Sequence, residues 1–195
     1  MISYSVYNRL SRYIKRNLFK LFFAHRFKSF GKKASVVDPD IIEGEEYIVL
    51  GNYASINSKA WLLAIKQNNI EPQLIIEDGA TIGRFAHIVA LQRVIIGQNV
   101  LIADKVYISD NIHGYEDISQ PIMYQPIVFK GVVEIGKNSW IGENVCIIGA
   151  KIGKHCIVGA NSVVNRDIPD YCLAVGSPAK VIKKYDFKTE KWIVI

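Results

Sequence analysis

One histidine in this 195-residue chain stands among acids. His113 follows Asp110 by three residues and precedes Gly114, Glu116 and Asp117 in the segment SDNIHGYED. When a carboxylate or carbonyl fixes one imidazole nitrogen, the other is free to accept a proton, which is what general-base chemistry needs. Asp110, Asn111 and Glu116 are the candidates for orienting that ring or for touching an acceptor. The other histidines have plainer readings: His25 falls in a basic stretch, and His87 and His155 sit beside aliphatic residues of a repeat. A metal site needs more ligands than this segment offers, so none is expected. Cys146, Cys156 and Cys172 have no C-x-x-C spacing and read as reduced, space-filling thiols rather than nucleophiles.

The frame that must hold His113 is written in steps of six. Ile76, Ile82 and Ile88 form one set, then Ile96, Ile102 and Ile108, then Ile135, Ile141 and Ile147, then Ile152, Val158 and Val164. Neither a helix nor a simple strand repeats every six residues. A coil of short strands and tight corners does, three sides closing a triangular turn of about 18 residues. No single coil can bury its own apolar face, so each must stack on its neighbours. Corners favour Asn, Asp and Gly, and Asn99, Asp104, Asn138, Asn144 and Asn161 fall there.

Interruptions locate the rest. The coil begins irregularly at Leu50, Ile56 and Leu62, and residues 66–73 break the rhythm. The step from Ile88 to Ile96 is eight, two more than the repeat, and that from Ile147 to Ile152 is five, one fewer. The largest break, residues 109–132, is a polar and aromatic loop thrown out of the coil, and it contains His113; loops of this length in a compact domain are usually functional or disordered, and its apolar content argues for order. Pro169 is expected to end the coil.

Residues 3–28 read as a helix stopped at Gly31, with Val6, Leu10, Tyr13, Ile14, Leu18 and Leu21 on one face and Arg9, Arg12, Arg16 and Lys20 roughly opposite. Residues 1–33 hold nine Lys or Arg and no acid, leaving 15 basic and 18 acidic groups in the remainder, so the net charge of +6 belongs to this segment. It suits either an anionic membrane surface or packing against the coil or another subunit. Nucleic acid is not expected, since no binding motif accompanies the charge. No secretory signal or bilayer-spanning stretch is read, which points to the cytoplasm. The expected organisation is a basic helix (1–33), the coil domain (34–185) and a C-terminal tail (186–195).

Three segments, YISDNIHG (107–114), VEIGKNSWIGENVCI (133–147) and IGKHCIVGANSVVNRDIPDYCLAVGSPAKVIKKY (152–185), make the chain resemble the hexapeptide-repeat acyltransferases. Within them it is most similar to bacterial O-acetyltransferases of lipopolysaccharide and capsule biosynthesis. The resemblance implies an all-β fold, a left-handed parallel β-helix with an N-terminal helix and an extruded catalytic loop. It implies acetyl-CoA as donor, no metal, a homotrimer, and transfer to a sugar hydroxyl, free or on a lipid-linked glycan, with His113 as the base. Trp140 matches an indole on the pantetheine arm, and Gly142 and Ala160 match positions where backbone meets that arm. Asn165, Arg166 and Lys180 match groups near the nucleotide end. The relatives read D-H-N-H-G where this chain has Ile112 before the histidine. An amino-sugar or xenobiotic N-acetyltransferase and a non-catalytic scaffold are the alternatives.

Overall fold

A computed structural model describes residues 2–195. After the helix the chain winds into a triangular prism with three parallel walls. The first wall stacks Ser29–Phe30, Ile48–Leu50, Gln73–Ile76, Arg93–Ile96, Val133–Ile135 and Lys151–Ile152. The second stacks Ser35–Val36, Ser55–Ile56, Thr81–Ile82, Leu101–Ile102, Trp140–Ile141, Ile157–Val158 and Cys172–Val175. The third stacks Ile41–Glu43, Trp61–Ala64, His87–Ala90, Tyr107–Ser109, Cys146–Ile148 and Val163–Val164. The fold is the left-handed parallel β-helix that the hexads predict in outline and the resemblance predicts in hand.

Each hexad aliphatic points inward and lies on its counterpart one coil away: Ile82 neighbours Ile102, which neighbours Ile141, which neighbours Val158. All twelve hexad residues named above are at most 2 % exposed, so the core is one continuous column. Burying such a side chain contributes about 1.5–3 kcal/mol, and the column repeats it at every rung. Corners turn through left-handed backbone at Asn99, Asn138, Asn144 and Asn161, which tolerate it best among residues with a side chain. At the corner containing Asp104 it is the next residue, Lys105, that takes this conformation.

Both ends differ from the sequence expectation. The helix spans Tyr4–Phe23, capped at its start by Ser3, and is followed by a short 3₁₀ turn, Ala24–Arg26. It stops short of residue 28 because Phe27 leaves it in an extended conformation and is buried at the foot of the core beside Phe19 and Phe30. Gly31 is not a helix stop. It stacks on Gly51 so closely that a Cβ would lie 2.3 Å from that residue's carbonyl carbon. At the other end Pro169 does not close the coil: Ile168 still bridges Ile152, and Cys172–Val175 adds a further rung. An antiparallel hairpin, Lys180–Asp186 with Lys191–Val194, then continues the second wall.

On the outer side of the third wall Trp61 stacks on His87 (ring centroids 4.2 Å, interplanar angle 3°), and Tyr107 meets the imidazole edge-on. The His87 Nε2 atom is buried there without a partner, and burial holds its pKa below the ordinary 6.5. The unfolded chain therefore takes up a proton that the folded one refuses. Stability is full above about pH 6.5 and declines as pH falls below it. His87→Phe, which keeps an aromatic ring against Trp61, is expected to flatten part of that decline in melting temperature; an identical acid limb in both proteins would refute the assignment.

Candidate active site

The break at 109–132 is ordered. Asn111–His113 pairs antiparallel with Ile127–Phe129, so the loop is a hairpin leaving the corner between the third and first walls. Its neck is closed by Asp110, whose carbonyl accepts from Lys130 N (2.7 Å) and Gly131 N. At the tip the Gln125 amide grips the backbone of Asp117 in both directions, and Gly114 N donates to Pro126 O. The insertion at 66–73 braces the hairpin, with Gln67 Nε2 donating to Ile127 O at 3.3 Å.

His113 is exposed on the first strand of this hairpin. The carboxylates expected around it have other partners. Asp110 is fully buried: Oδ1 accepts from Leu91 N and Asn111 Nδ2, both at 2.8 Å, and Oδ2 from Gln92 N (2.7 Å) and Arg93 N (2.8 Å). It fastens the loop root to the coil below rather than reaching the imidazole or an open acceptor site. Asn111, also buried, is tied to Asp110 and, through its backbone, to Ser109 Oγ. Asp117 caps the turn that follows it, and the hydrogen bond from Ser119 holds its carboxyl below the usual carboxylate range. Glu116 remains exposed beside the hairpin.

The residues expected to meet the donor are spread around the prism. Trp140 is half-exposed on the second wall. Gly142 lies at the corner between the second and third walls, directly under Ala160: its N–H donates to Val158 O at 2.8 Å, and a Cβ would come within 2.6 Å of Ala160 N. The short step after Ile147 therefore leaves these two in register. Asn165 and Arg166 are exposed on the corner between the third and first walls, the edge from which the His113 hairpin leaves two coils earlier. Lys180 is exposed at the start of the closing hairpin on the second wall. Within one chain, His113, Asn165 and Arg166 share an edge, and Trp140 occupies the wall opposite that edge.

Around Trp140 the structure gathers residues that sequence reading left apart. A cleft of about 410 Å³ is lined by Trp140, Asn138, His155, Tyr171, Tyr185 and Trp192, with Cys156 and Ile157 at its floor. His155 accepts or donates one bond with Asn138 Nδ2 (3.0 Å) and stacks on Tyr171. Asn138, His155 and Tyr171 are spaced 17 and 16 residues apart, the local coil length, and that spacing is the signal that could have grouped them. Burial pushes the Cys156 and Cys172 thiols up, away from reactive thiolate. Among the described residues no three His, Cys, Asp or Glu side chains come together as metal ligands.

Comparison with known proteins places this geometry. Residues 132–166 match the family model described as the hexapeptide repeat of succinyl-transferase. The chain is 38 % identical over 126 residues to WbbJ of Escherichia coli, whose name assigns it to lipopolysaccharide biosynthesis as an O-acetyl transferase; the match covers 61 % of this chain and 64 % of that protein. It is 37 % identical over 152 residues to a Mycobacterium tuberculosis protein named as an acetyltransferase, covering 76 % of this chain and 50 % of the other. The chain thus spans between half and two thirds of these relatives. Among solved structures, AntD of Bacillus cereus, an N-acyltransferase in complex with dTDP and coenzyme A, superposes with a TM-score of 0.68 at 21 % identity, covering 89 % of this chain and 90 % of that one. VCA0836 of Vibrio cholerae, a hexapeptide-repeat acetyltransferase, gives 0.59 at 22 % identity, covering 93 % and 90 %. Repeat, prism and solved structures agree on a left-handed parallel β-helix, and the matched segments are similar to those of proteins named as hexapeptide-repeat and O-acetyl transferases.

Proposed function

We propose that this protein is an acetyl-CoA-dependent O-acetyltransferase acting on a sugar hydroxyl in surface polysaccharide biosynthesis, lipopolysaccharide O-antigen or capsule. The observation that carries the reading is the braced hairpin that presents an exposed His113 at the prism edge. One imidazole nitrogen takes the hydroxyl proton as the sugar oxygen attacks the thioester carbonyl. Backbone N–H groups stabilise the oxyanion of the tetrahedral intermediate. The carbon–sulfur bond then breaks, coenzyme A leaves as the thiolate, and the imidazolium returns the proton to it. No cysteine is acylated.

Trp140, Gly142, Ala160, Asn165, Arg166 and Lys180 are proposed to line the donor groove, with Glu116 near the acceptor. Because Trp140 faces away from the hairpin edge of its own chain, the proposal includes a homotrimer in which one copy's His113 edge meets the next copy's donor residues. The acceptor, a sugar or a lipid-linked glycan, would be met in the cytoplasm at the inner face of the membrane. The structural neighbours named as N-acyltransferases share the fold, so an amino sugar is the second reading.

Incubation with acetyl-CoA and sugar acceptors, followed by mass spectrometry, tests the reaction. An alkali-labile acetyl ester is expected. An alkali-stable amide would favour the amino sugar, and absence of coenzyme A release with every acceptor would leave the scaffold reading. Light scattering should give three times the 22.0 kDa chain mass; a monomer that still transfers acetyl would refute the shared groove.

A further inference from the structure

The helix Tyr4–Phe23 is held to the prism by the wrong face for a packing helix. Its contacts run along Ser11, Lys15 and Phe19, a row spaced by four, with Arg12 alongside. Lys15 Nζ bonds Asp38 Oδ2 at 2.9 Å, and this bond keeps the Asp38 carboxyl below its usual range. Arg12 donates to Asn57 Oδ1 at 2.6 Å, and Phe19 meets Phe27 edge-on. Ser11 and Phe19 are the only half-buried residues of the helix, and the others are exposed. The apolar stripe is left uncovered: Val6, Leu10, Tyr13, Ile14, Leu18 and Leu21 are each 46 to 71 % exposed, with Val6, Leu10 and Tyr13 at the rim of a groove beside the prism.

Beside the stripe runs a basic arc. Arg9, Arg16 and Lys20 lie at its edge, and Arg9, Arg12 and Arg16 line, together with Val6, Leu10 and Tyr13, a groove of about 690 Å³ between the helix and the first rungs of the second wall. No acid occurs in residues 1–33. Apolar stripe and cationic flank together match a surface that offers hydrocarbon and negative charge side by side. No helix of the described residues is long and apolar enough to cross a membrane. The 20-residue helix can instead lie in the interface, its stripe in the acyl boundary and its cations among phosphates.

We propose that the outward face of residues 4–23 binds the surface of an anionic lipid bilayer, and that the Lys15, Arg12 and Phe19 contacts orient the prism on that surface. The proposal stands apart from the acyl-transfer reading, because its readout is vesicle binding.

The test is flotation of the full chain with vesicles of phosphatidylcholine alone or mixed with phosphatidylglycerol. The chain is expected to float with the mixed vesicles only, and less so as salt is added. Arg9→Gln/Arg16→Gln/Lys20→Gln should weaken partition about 100-fold, since each cation near an anionic surface contributes roughly fivefold. Leu10→Gln/Ile14→Gln/Leu18→Gln should weaken it by about tenfold or more, through loss of buried apolar area. Both variants leave Arg12, Lys15 and Phe19 in place, and an unchanged melting temperature checks that the coil is intact. Failure of the intact chain to float with the mixed vesicles, equal flotation with neutral ones, or undiminished flotation of the second variant would each overturn the proposal. A fall in mass by light scattering for the second variant, with no flotation of the intact chain, would assign the stripe to another copy of this chain.

Discussion

His113→Ala is expected to lower acetyl transfer by about 10²–10⁴-fold, the usual contribution of a general base. The reasoning is geometric. The side chain is exposed, so its removal opens no cavity and strands no buried partner. The hairpin around it is held by backbone pairing with Ile127–Phe129 and by Gln125, none of which involves the imidazole. Melting temperature and oligomeric mass should therefore match those of the parent while turnover collapses. Steady-state rates with acetyl-CoA, measured beside a thermal melt, separate the two effects. A loss smaller than about tenfold would remove the base from the mechanism, and the scaffold reading would regain ground.

Asp110→Ala is expected to cost about 3–5 kcal/mol of folding stability, because a buried donor left without its acceptor costs about 1–3 kcal/mol and three backbone amides lose theirs at once. Leu91, Gln92 and Arg93 N–H groups all end on this carboxylate, and Asn111 adds a fourth donor. Asp110→Asn should do little better. Each Asp110 oxygen accepts two donors, and an amide must turn its own N–H₂ towards one of those pairs. Denaturant titration of both variants measures this; a midpoint that stays within error of the parent would show that water replaces the carboxylate. We propose Asp110 as a positioning residue for His113. In the destabilised variants, residual folded protein should show a lowered turnover with little change in KM for acetyl-CoA, a split that loss of stability alone would not produce.

The prism was legible because its cause is local and repeated. Ile82, Ile102 and Ile141 each occupy the same place in a six-residue step, and a coil is the only regular structure that uses such a step on every side. The helix existed where its periodicity put it, yet its end did not, since Phe27 is drawn out by a core that no window around residue 27 contains. The surroundings of His113 were read least well. Acids close in sequence suggested acids close to the ring, but Asp110 answers a need about 20 residues earlier. The two extra residues between Ile88 and Ile96 leave amides at 91–93 without rung partners. The eight-residue step was visible in the sequence. That its corner lies under Asp110 follows only once the third wall pairs Tyr107–Ser109 with His87–Val89. The aromatic cleft around Trp140 was hidden for the same reason, being assembled from successive coils and the closing hairpin.

The neck at Asp110 has a further consequence. Its carboxylate ties the hairpin to the rung beneath, and its carbonyl ties the departing strand to the returning one at Lys130 and Gly131. Everything between those ties hangs on a fixed doorway, and the rungs on either side stack as though it were absent, Ile108 on Ile147 without a gap. The segment is in effect a cassette. Its length and side chains are free to diverge, and with them the acceptors that the proposed enzyme would admit, while the prism keeps its dimensions.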